Sequence, residues 1–387
     1  VTSRAPLHVA HVNSEPGFSG GEAQMFLLLR GLRERGHGDL VICRPGSRTE
    51  LAAREEGFEV VTVSMRNDLD ARAVPAIRRV LRERAVDLVH LHTGRATWLG
   101  GLAAKLAGVP ALSTRRMDRV VRRGPRTRLV YGALTRRVVA ISPAVVELLR
   151  RGGVDPARIE LIPDAVEPRS LEPARGAREV RRSLGLESGR LALLSLASLD
   201  RRKGLDVLLE ALARLRERRA DPLPALWIAG SGPEEGPLRQ LVADLRLGES
   251  VDFLGRREDA PDLLGACDVF VLPSRREGMG VAALEAMAVG KPVVASRVGG
   301  LAHAVESEGT GLLVPPEDPG ALAAALERVL DDAELRERLS ANGPARVTRE
   351  FLAEDQVDRY AEVYAQVLQD APVPLRSEGE GSRALRG

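Results

Sequence analysis

Cysteine is nearly missing from this chain: Cys43 and Cys267, the only two in 387 residues, lie far apart and each sits inside an apolar run. That spacing gives neither a disulfide framework nor a metal or redox motif, and two buried thiols suit a reducing cytoplasm. Aromatic residues amount to 3%, so the stacking platforms that grip single-stranded nucleic acid are scarce and nucleic acid is not an expected partner. No run of about 18 apolar residues suggests a membrane span. The first residues lack the basic and apolar regions of a signal peptide. Lysine is also rare: of 57 basic residues only Lys105, Lys203 and Lys291 are not arginine. In so biased a chain one surface arginine says little, whereas a retained lysine marks a place where a compact ammonium matters, and Lys203 is the one to follow.

What is present is an ordinary globular composition, 44% hydrophobic and 29% charged with a net charge of +3, at a length that fits two domains of about 150–190 residues. Short apolar runs at 7–13, 39–44, 59–64, 86–92, 110–114, 137–142 and 159–163 alternate with helix-like segments at 22–36, 49–57, 71–84, 98–108 and 143–152. Such alternation predicts a parallel, doubly wound sheet. Residues 166–177 hold two prolines and no apolar period, as a linker would. The alternation then restarts at 191–197 and continues through 225–229, 251–254, 268–274, 292–296 and 311–314. The expected division is a first domain over 1–170, a second over 178–352, a C-terminal helix over 353–369 and a disordered tail over 370–387, rich in Pro, Ser, Gly, Glu and Arg.

The strongest local signal is Glu277-Gly278-Met279-Gly280-Val281, with Glu285 further along, placed between the strand-like run 268–274 and a helix-like run closed by Gly290. Glycines at a strand-to-helix turn let the backbone approach a phosphate, and a helix N-terminus attracts an anion. Gly20 and Gly21 open a helix after a long first turn, where a structural turn and a diphosphate contact are equally good readings. Arg201-Arg202-Lys203-Gly204 stands at another helix start, where cations oppose the dipole unless an anion lies between them. Asp68-Leu69-Asp70 has the form of a divalent-metal site, yet precedes a helix and reads better as capping. His90 and His92 share one strand face, where satisfied or substrate-facing imidazoles outweigh a metal pair lacking a third ligand. Nine arginines fall between Arg115 and Arg137, read equally as a solvated face or as a surface for an acidic acceptor or an anionic membrane.

In this order the motifs resemble the retaining nucleotide-sugar glycosyltransferases of the GT-B fold, in particular glycosyltransferase family 4. The likeness runs over most of residues 7–369. It rests on Gly20-Gly21-Glu22, Asp87-Leu88-Val89-His90-Leu91-His92, Ile141-Ser142-Pro143, Arg202-Lys203-Gly204, Gly230-Ser231-Gly232-Pro233, Glu277 to Glu285, Gly290-Lys291-Pro292 and Gly311-Leu312-Leu313-Val314-Pro315-Pro316. The resemblance implies two Rossmann-like α/β domains facing a central cleft. It gives Glu277, Lys203 and Arg202 the catalytic roles, with Glu277 on the donor sugar and the two cations on the diphosphate. Gly20, Gly21, Gly278, Met279, Gly280, Val281, Glu285 and Arg256 would bind the donor, Glu285 through the ribose. His92, Arg115 and Arg116 would face the acceptor. It implies no cofactor and no metal, a nucleotide-sugar donor, and a glycan, lipid-linked or lipopolysaccharide-type acceptor of anionic character. The implied location is the cytoplasm, with peripheral contact at the inner face of the membrane. A GT-B nucleotide-sugar 2-epimerase and a non-catalytic carbohydrate- or membrane-associated subunit are the rival readings. The chain departs from the family at Ser198, where many members carry arginine, and at Ser113-Thr114-Arg115-Arg116, where a histidine is common. Asp164-Ala165 replaces the usual Asn-Gly, and Ala302-His303 the usual Pro-Glu.

Overall fold

Strands apolar at nearly every position, rather than at alternate ones, are what a sheet covered on both faces requires. The computed structural model describes residues 6–218 and 223–370 and turns those runs into two parallel sheets. The first holds β1 (His8–Val12), β2 (Gly38–Cys43), β3 (Glu59–Thr62), β4 (Leu88–Leu91), β5 (Ala111–Arg115), β6 (Arg137–Ala140) and β7 (Ile159–Leu161), in the order β3-β2-β1-β4-β5-β6-β7. The second holds β8 (Ala192–Leu196), β9 (Ala225–Ala229), β10 (Val251–Gly255), β11 (Val269–Leu272), β12 (Val293–Ser296) and β13 (Gly311–Val314), in the order β10-β9-β8-β11-β12-β13. Each order reverses once, between β1 and β4 and between β8 and β11. The loops leaving the carboxyl ends of those four strands therefore line the crevice where open α/β sheets hold ligands.

Local chemistry sets the helix ends around these crevices. Ser19 caps helix Gly20–Glu34 in a capping box with Glu22. Thr93 caps Gly94–Ala107, and Ser142 with Pro143 opens Pro143–Arg151. Asp68 and Asp70 do not cap the next helix: Asp70 accepts from the Arg66 N–H at 3.0 Å, Asp68 pairs with Arg126 at 2.7 Å, and helix Ala73–Glu83 begins at Arg72 with no side-chain cap. Asp70 is thus used by the preceding loop and Asp68 by an arginine from further along the chain.

The segment at 166–177 is more structured than its composition predicts. Pro168–Leu171 forms a 3-10 turn and Ala177–Ser183 an α-helix. Val166 pairs with Leu352 in a parallel bridge, donating to the Phe351 carbonyl at 2.9 Å and accepting from the Ala353 N–H at 3.0 Å. The chain crosses between the domains at both places, so the two crossings lie side by side.

After the second crossing, helix Ala353–Gln369 returns to the first domain. Val357, Tyr360, Tyr364 and Val367, spaced for one helical face, pack with Val9, Leu28, Leu32, Leu88, Leu112 and Val139. Gly31 lets this helix approach helix Gly20–Glu34 closely, because a Cβ there would stand 2.5 Å from a methyl of Val357. The tail at 371–387 lies outside the described residues. Gly31→Val is expected to cost about 1–3 kcal/mol by overpacking, read as a lower urea midpoint, and Val357→Ala in the same chain should restore part of the loss.

Candidate functional site

In the second domain the crevice between β8 and β11 is stitched shut at its base by Arg275. Its N–H donates to the Arg202 carbonyl at 2.8 Å, its guanidinium grips both Asp206 oxygens at 2.7 and 2.8 Å, and it reaches Glu317 at 2.9 Å. Forked arginine–carboxylate pairing of this kind fixes geometry as well as charge. Held in this way, Lys203 brings its ammonium 2.5 Å from the Glu277 carboxylate, and the Ser274 hydroxyl donates to the same oxygen at 3.1 Å. The pair is largely enclosed, with side-chain exposures of 14% for Lys203 and 10% for Glu277. Glu277 is fixed from behind as well, since its carbonyl accepts from the Gly300 N–H at 3.0 Å. Gly299, with φ +46°, admits that carbonyl where any Cβ would strike it.

Gly280, at φ +84°, turns the chain into helix Val281–Ala288, which no side chain caps. The first N–H groups of a helix have no intrahelical partner, so the turn presents donors beside the Lys203–Glu277 pair. Met279 is buried beneath the loop and Val281 half-buried at its end. Glu285 is half-buried, its side chain with no hydrogen bond or ion pair among the described residues, and burial pushes its carboxyl up to about 7. Arg202 shares its charge with Asp200, at 3.4 Å through the side chain and 2.9 Å through its N–H. The crowding of cations expected at this helix start is thus already answered by Asp200 and Glu277. Arg256 stands apart on the exposed turn after β10, two strands from β8.

In the first domain, Glu22 organises the glycine loop: it accepts from Asn13 at 3.0 Å and from the Ser19 N–H and hydroxyl at 2.8 and 2.6 Å. Gly20 and Gly21 are thereby fixed at the helix start. A Cβ on Gly21 would lie 3.6 Å from the Arg116 side chain, and Gly278 of the other domain sits where a Cβ would run into the Arg116 carbonyl. Arg116 is one of the points at which the two halves meet. Its Nε donates to Asp164 at 3.3 Å and its Nη1 lies 3.2 Å from His92 Nδ1. Burial, opposed by Arg116 and assisted by Glu277, raises the Asp164 carboxyl to about 6. Gln24 holds the neighbouring Ala165 by both backbone groups, at 2.7 and 2.9 Å. Arg115 points elsewhere, into its own loop, donating to the Arg119 carbonyl at 2.6 Å and the Tyr131 hydroxyl at 3.2 Å.

His92 belongs to a larger cluster, for β1 pairs with β4 so that His11 stands opposite His90. The ring nitrogens of His11, His90 and His92 can lie within 4.8 Å of one another, all buried, which supplies the third imidazole that a metal site would need. Each nitrogen already has a neighbour, however. His11 meets His92 at 3.0 Å and Asp39 at 3.3 Å, His92 meets Arg116, and His90 meets Tyr364 and Thr114, both at 2.7 Å. Apart from His11 Nε2, whose contact with Asp39 is not a hydrogen bond, these nitrogens are engaged, and a cation would have to break those bonds beside a guanidinium. Desolvation, with neighbouring positive charge, keeps His90 and His92 well below the ordinary histidine range, hence neutral.

Arg275 and His11 are site residues that sequence reading missed, while Glu22 and Asp164 were named only as parts of motifs and given no role of their own. His11 had a usable signal, since a doubly wound order places the first strand beside the fourth. Arg275 had none in a chain so rich in arginine.

The unpaired Glu285 makes a pH-dependent cost. A carboxyl raised from 4.5 to about 7 on folding favours the folded state while protonated; that advantage is complete near pH 4, falls as pH rises and is gone above about 7. Glu285→Gln is therefore expected to raise stability by ~2 kcal/mol at pH 8, after discounting the shift for partial exposure, and to change little at pH 4. Denaturant titrations at the two pH values check this, and equal gains at both would contradict it.

Against this geometry the comparisons are consistent along most of the chain. Residues 18–170 match Glycosyltransferase Family 4 and residues 177–346 match Glycosyl transferases group 1. A D-inositol 3-phosphate glycosyltransferase of Pseudarthrobacter chlorophenolicus is 36% identical over 287 residues, 68% of this chain and 67% of that protein. The UDP-Gal:alpha-D-GlcNAc-diphosphoundecaprenol alpha-1,3-galactosyltransferase of Escherichia coli is 28% identical over 95% of this chain and 99% of its own. Among solved structures, Anabaena Alr3699/HepE in complex with UDP and glucose superposes with a TM-score of 0.81 at 21% identity, covering 93% of this chain and 100% of that one, and so shares the GT-B fold. These relatives are transferases, which does not favour the epimerase reading. The chain belongs to glycosyltransferase family 4 and is a glycosyltransferase.

Proposed function

We propose that the enzyme moves a hexose-type sugar from a nucleoside diphosphate to a lipid-linked or lipopolysaccharide-type glycan acceptor, with retention of anomeric configuration and without a metal ion. The observation that carries the reading is the Lys203–Glu277 pair, enclosed at the crevice of β8 and β11, with Arg116 of the other domain against the adjacent Gly278. Lys203, Arg202 and the uncapped start of helix Val281–Ala288 gather positive charge where a diphosphate would depart. Glu277, once shared between Lys203 and a sugar, accepts hydroxyl protons in hydrogen bonds and orients the ring. Glu285, with no partner of its own, suits a ribose diol.

In the proposed reaction the bond from the anomeric carbon to the leaving phosphate oxygen breaks as the acceptor oxygen bonds the same carbon from the same side. The acceptor proton passes to the departing diphosphate. No strong protein base is needed, and the paired Glu277 acts as a sugar-binding group. Enclosure by Arg116 and Gly278 limits water at the anomeric carbon.

The acceptor class follows the Escherichia coli relative, whose acceptor is a diphosphoundecaprenol-linked sugar. No helix among the described residues is long and apolar enough to cross a membrane. The basic loop offers peripheral contact instead: exposed Arg119, Arg122 and Arg128 have no side-chain ion pair among the described residues, and Met117 and Val120 beside them are 46% and 76% exposed. Action at the inner face of the membrane, in the cytoplasm, fits that surface.

Two outcomes are expected. Glu277→Ala and Lys203→Ala should each reduce transfer by at least about 10²-fold with an unchanged circular dichroism spectrum, measured across a nucleotide-sugar panel with lipid-linked and lipopolysaccharide acceptors; wild-type rates in both variants would remove the site assignment. Replacing Arg119, Arg122 and Arg128 by serine should release the protein from anionic vesicles, with each lost charge weakening binding by about 1 kcal/mol. Unchanged sedimentation with vesicles would leave the loop as a solvated face.

A further inference from the structure

The first domain contains a buried chain of polar groups that the transfer reaction does not itself require. It runs from Arg116 through His92 and His11 to Asp39, with separations of 3.2, 3.0 and 3.3 Å. His11 is completely buried and the Asp39 side chain is 1% exposed. Neither Asp39 oxygen has a well-aligned hydrogen bond, and His11 is the only ion-pair partner that Asp39 has among the described residues. A carboxylate left so poorly served in the interior is expensive, and packing alone gives no reason to keep it.

The chain has only one self-consistent polarity. A guanidinium can donate and never accept, so His92 Nδ1 must present its lone pair to Arg116. The proton of neutral His92 is then on Nε2, which donates to His11 Nδ1. His11 in turn carries its proton on Nε2, 3.3 Å from an Asp39 oxygen though not aligned with it as a hydrogen bond. Were either imidazole to hold the opposite tautomer, two N–H groups would point at each other somewhere along the line. Asp39, at the far end, favours the same polarity, because a carboxylate 3.3 Å from Nε2 draws the His11 proton to that nitrogen. The stacked rings of His11 and His92, 5.2 Å apart at 16°, keep the two in register.

At the cleft end Arg116 is braced but not saturated. Nη1 meets His92 and Nε meets Asp164, while Nη2 has no hydrogen bond among the described residues. The side chain passes beside Gly21, and its backbone touches Gly278. We propose that Asp39 and His11 are positioning residues that act through His92 to hold the Arg116 guanidinium in the cleft with Nη2 free for a phosphate-type anion. This rests on the transferase reading above, in which such an anion arrives either on the acceptor or as the donor diphosphate.

The test begins with the unaltered protein. In histidine-labelled protein, the ¹⁵N shifts of His92, assigned by its loss in His92→Gln, are expected to show protonated Nε2 and unprotonated Nδ1. Protonated Nδ1 overturns the proposal whatever the enzyme transfers. Asp39→Leu replaces the buried charge by a side chain of similar size, a change that interiors tolerate; His11→Phe keeps a stacked ring and removes both nitrogens. Either variant should weaken binding of inorganic phosphate about tenfold, the scale of one charge-assisted hydrogen bond, and Asp39→Leu should mix the His92 tautomers. Wild-type phosphate affinity together with an unmixed tautomer in Asp39→Leu would overturn the proposal. Repeating the phosphate titration with saturating nucleoside diphosphate assigns the source: retained binding marks an acceptor group, and competition marks the donor diphosphate. If no nucleotide sugar is turned over, the transferase reading fails separately, since neither the shifts nor the phosphate titration depends on turnover.

Discussion

An open parallel sheet leaves room for a ligand only where its strand order reverses, and everything functional in this protein follows from having two such reversals turned toward each other. Between β8 and β11 the crevice receives Lys203, Glu277 and the start of helix Val281–Ala288; between β1 and β4 it receives the glycine loop and His92. The loops can lie so close because glycine stands at the points of nearest approach, Gly278 against the Arg116 carbonyl and Gly299 beneath the Glu277 carbonyl. Side chains larger than hydrogen at those points would separate the halves or displace the sugar-side carboxylate.

The carboxylates around the cleft are held in graded states. Glu277 is balanced by Lys203 and Ser274, Asp164 is partly answered by Arg116, and the Glu285 carboxyl has no partner among the described residues. Burial raises Asp164 to about 6 and Glu285 to about 7. Groups kept underserved in this way cost stability in the empty protein and gain partners when hydroxyls and phosphates arrive. Arg275 has the opposite role: satisfied on every side, it makes the two donor-side loops one rigid unit.

Much of this was legible from the chain because it depends on local pattern. Apolar runs without alternation gave the parallel strands, and the helix starts after Ser19, Thr93 and Ser142 carry their own caps. The E-x7-E stretch and Lys203 announced themselves, the latter by being a lysine where arginine is the rule. What stayed hidden depends on partners far away in sequence. Arg116 was visible as a basic residue, yet its bonds to His92 and Asp164 come from β4 and from the turn after β7. Asp70 looked like a cap because it precedes a helix, but the backbone of Arg66 reaches it first. Residues 166–177 looked free because they have two prolines and no apolar period, whereas the bridge to Leu352 and the bonds of Ala174 and Arg175 to Asp262 anchor the segment.

The return of helix Ala353–Gln369 to the first domain makes that domain discontinuous along the chain. Its core includes Val9 and Leu28 from the beginning and Tyr360 and Tyr364 from the far end. During synthesis the second domain can therefore complete its packing while the first still lacks one wall, in reverse of the usual order in which the earlier domain matures first. Until the ribosome releases residue 369, the buried histidines have no tyrosine beside them and the apolar face of helix Gly20–Glu34 is open. The nascent first domain thus leaves apolar surface uncovered for longer than the second.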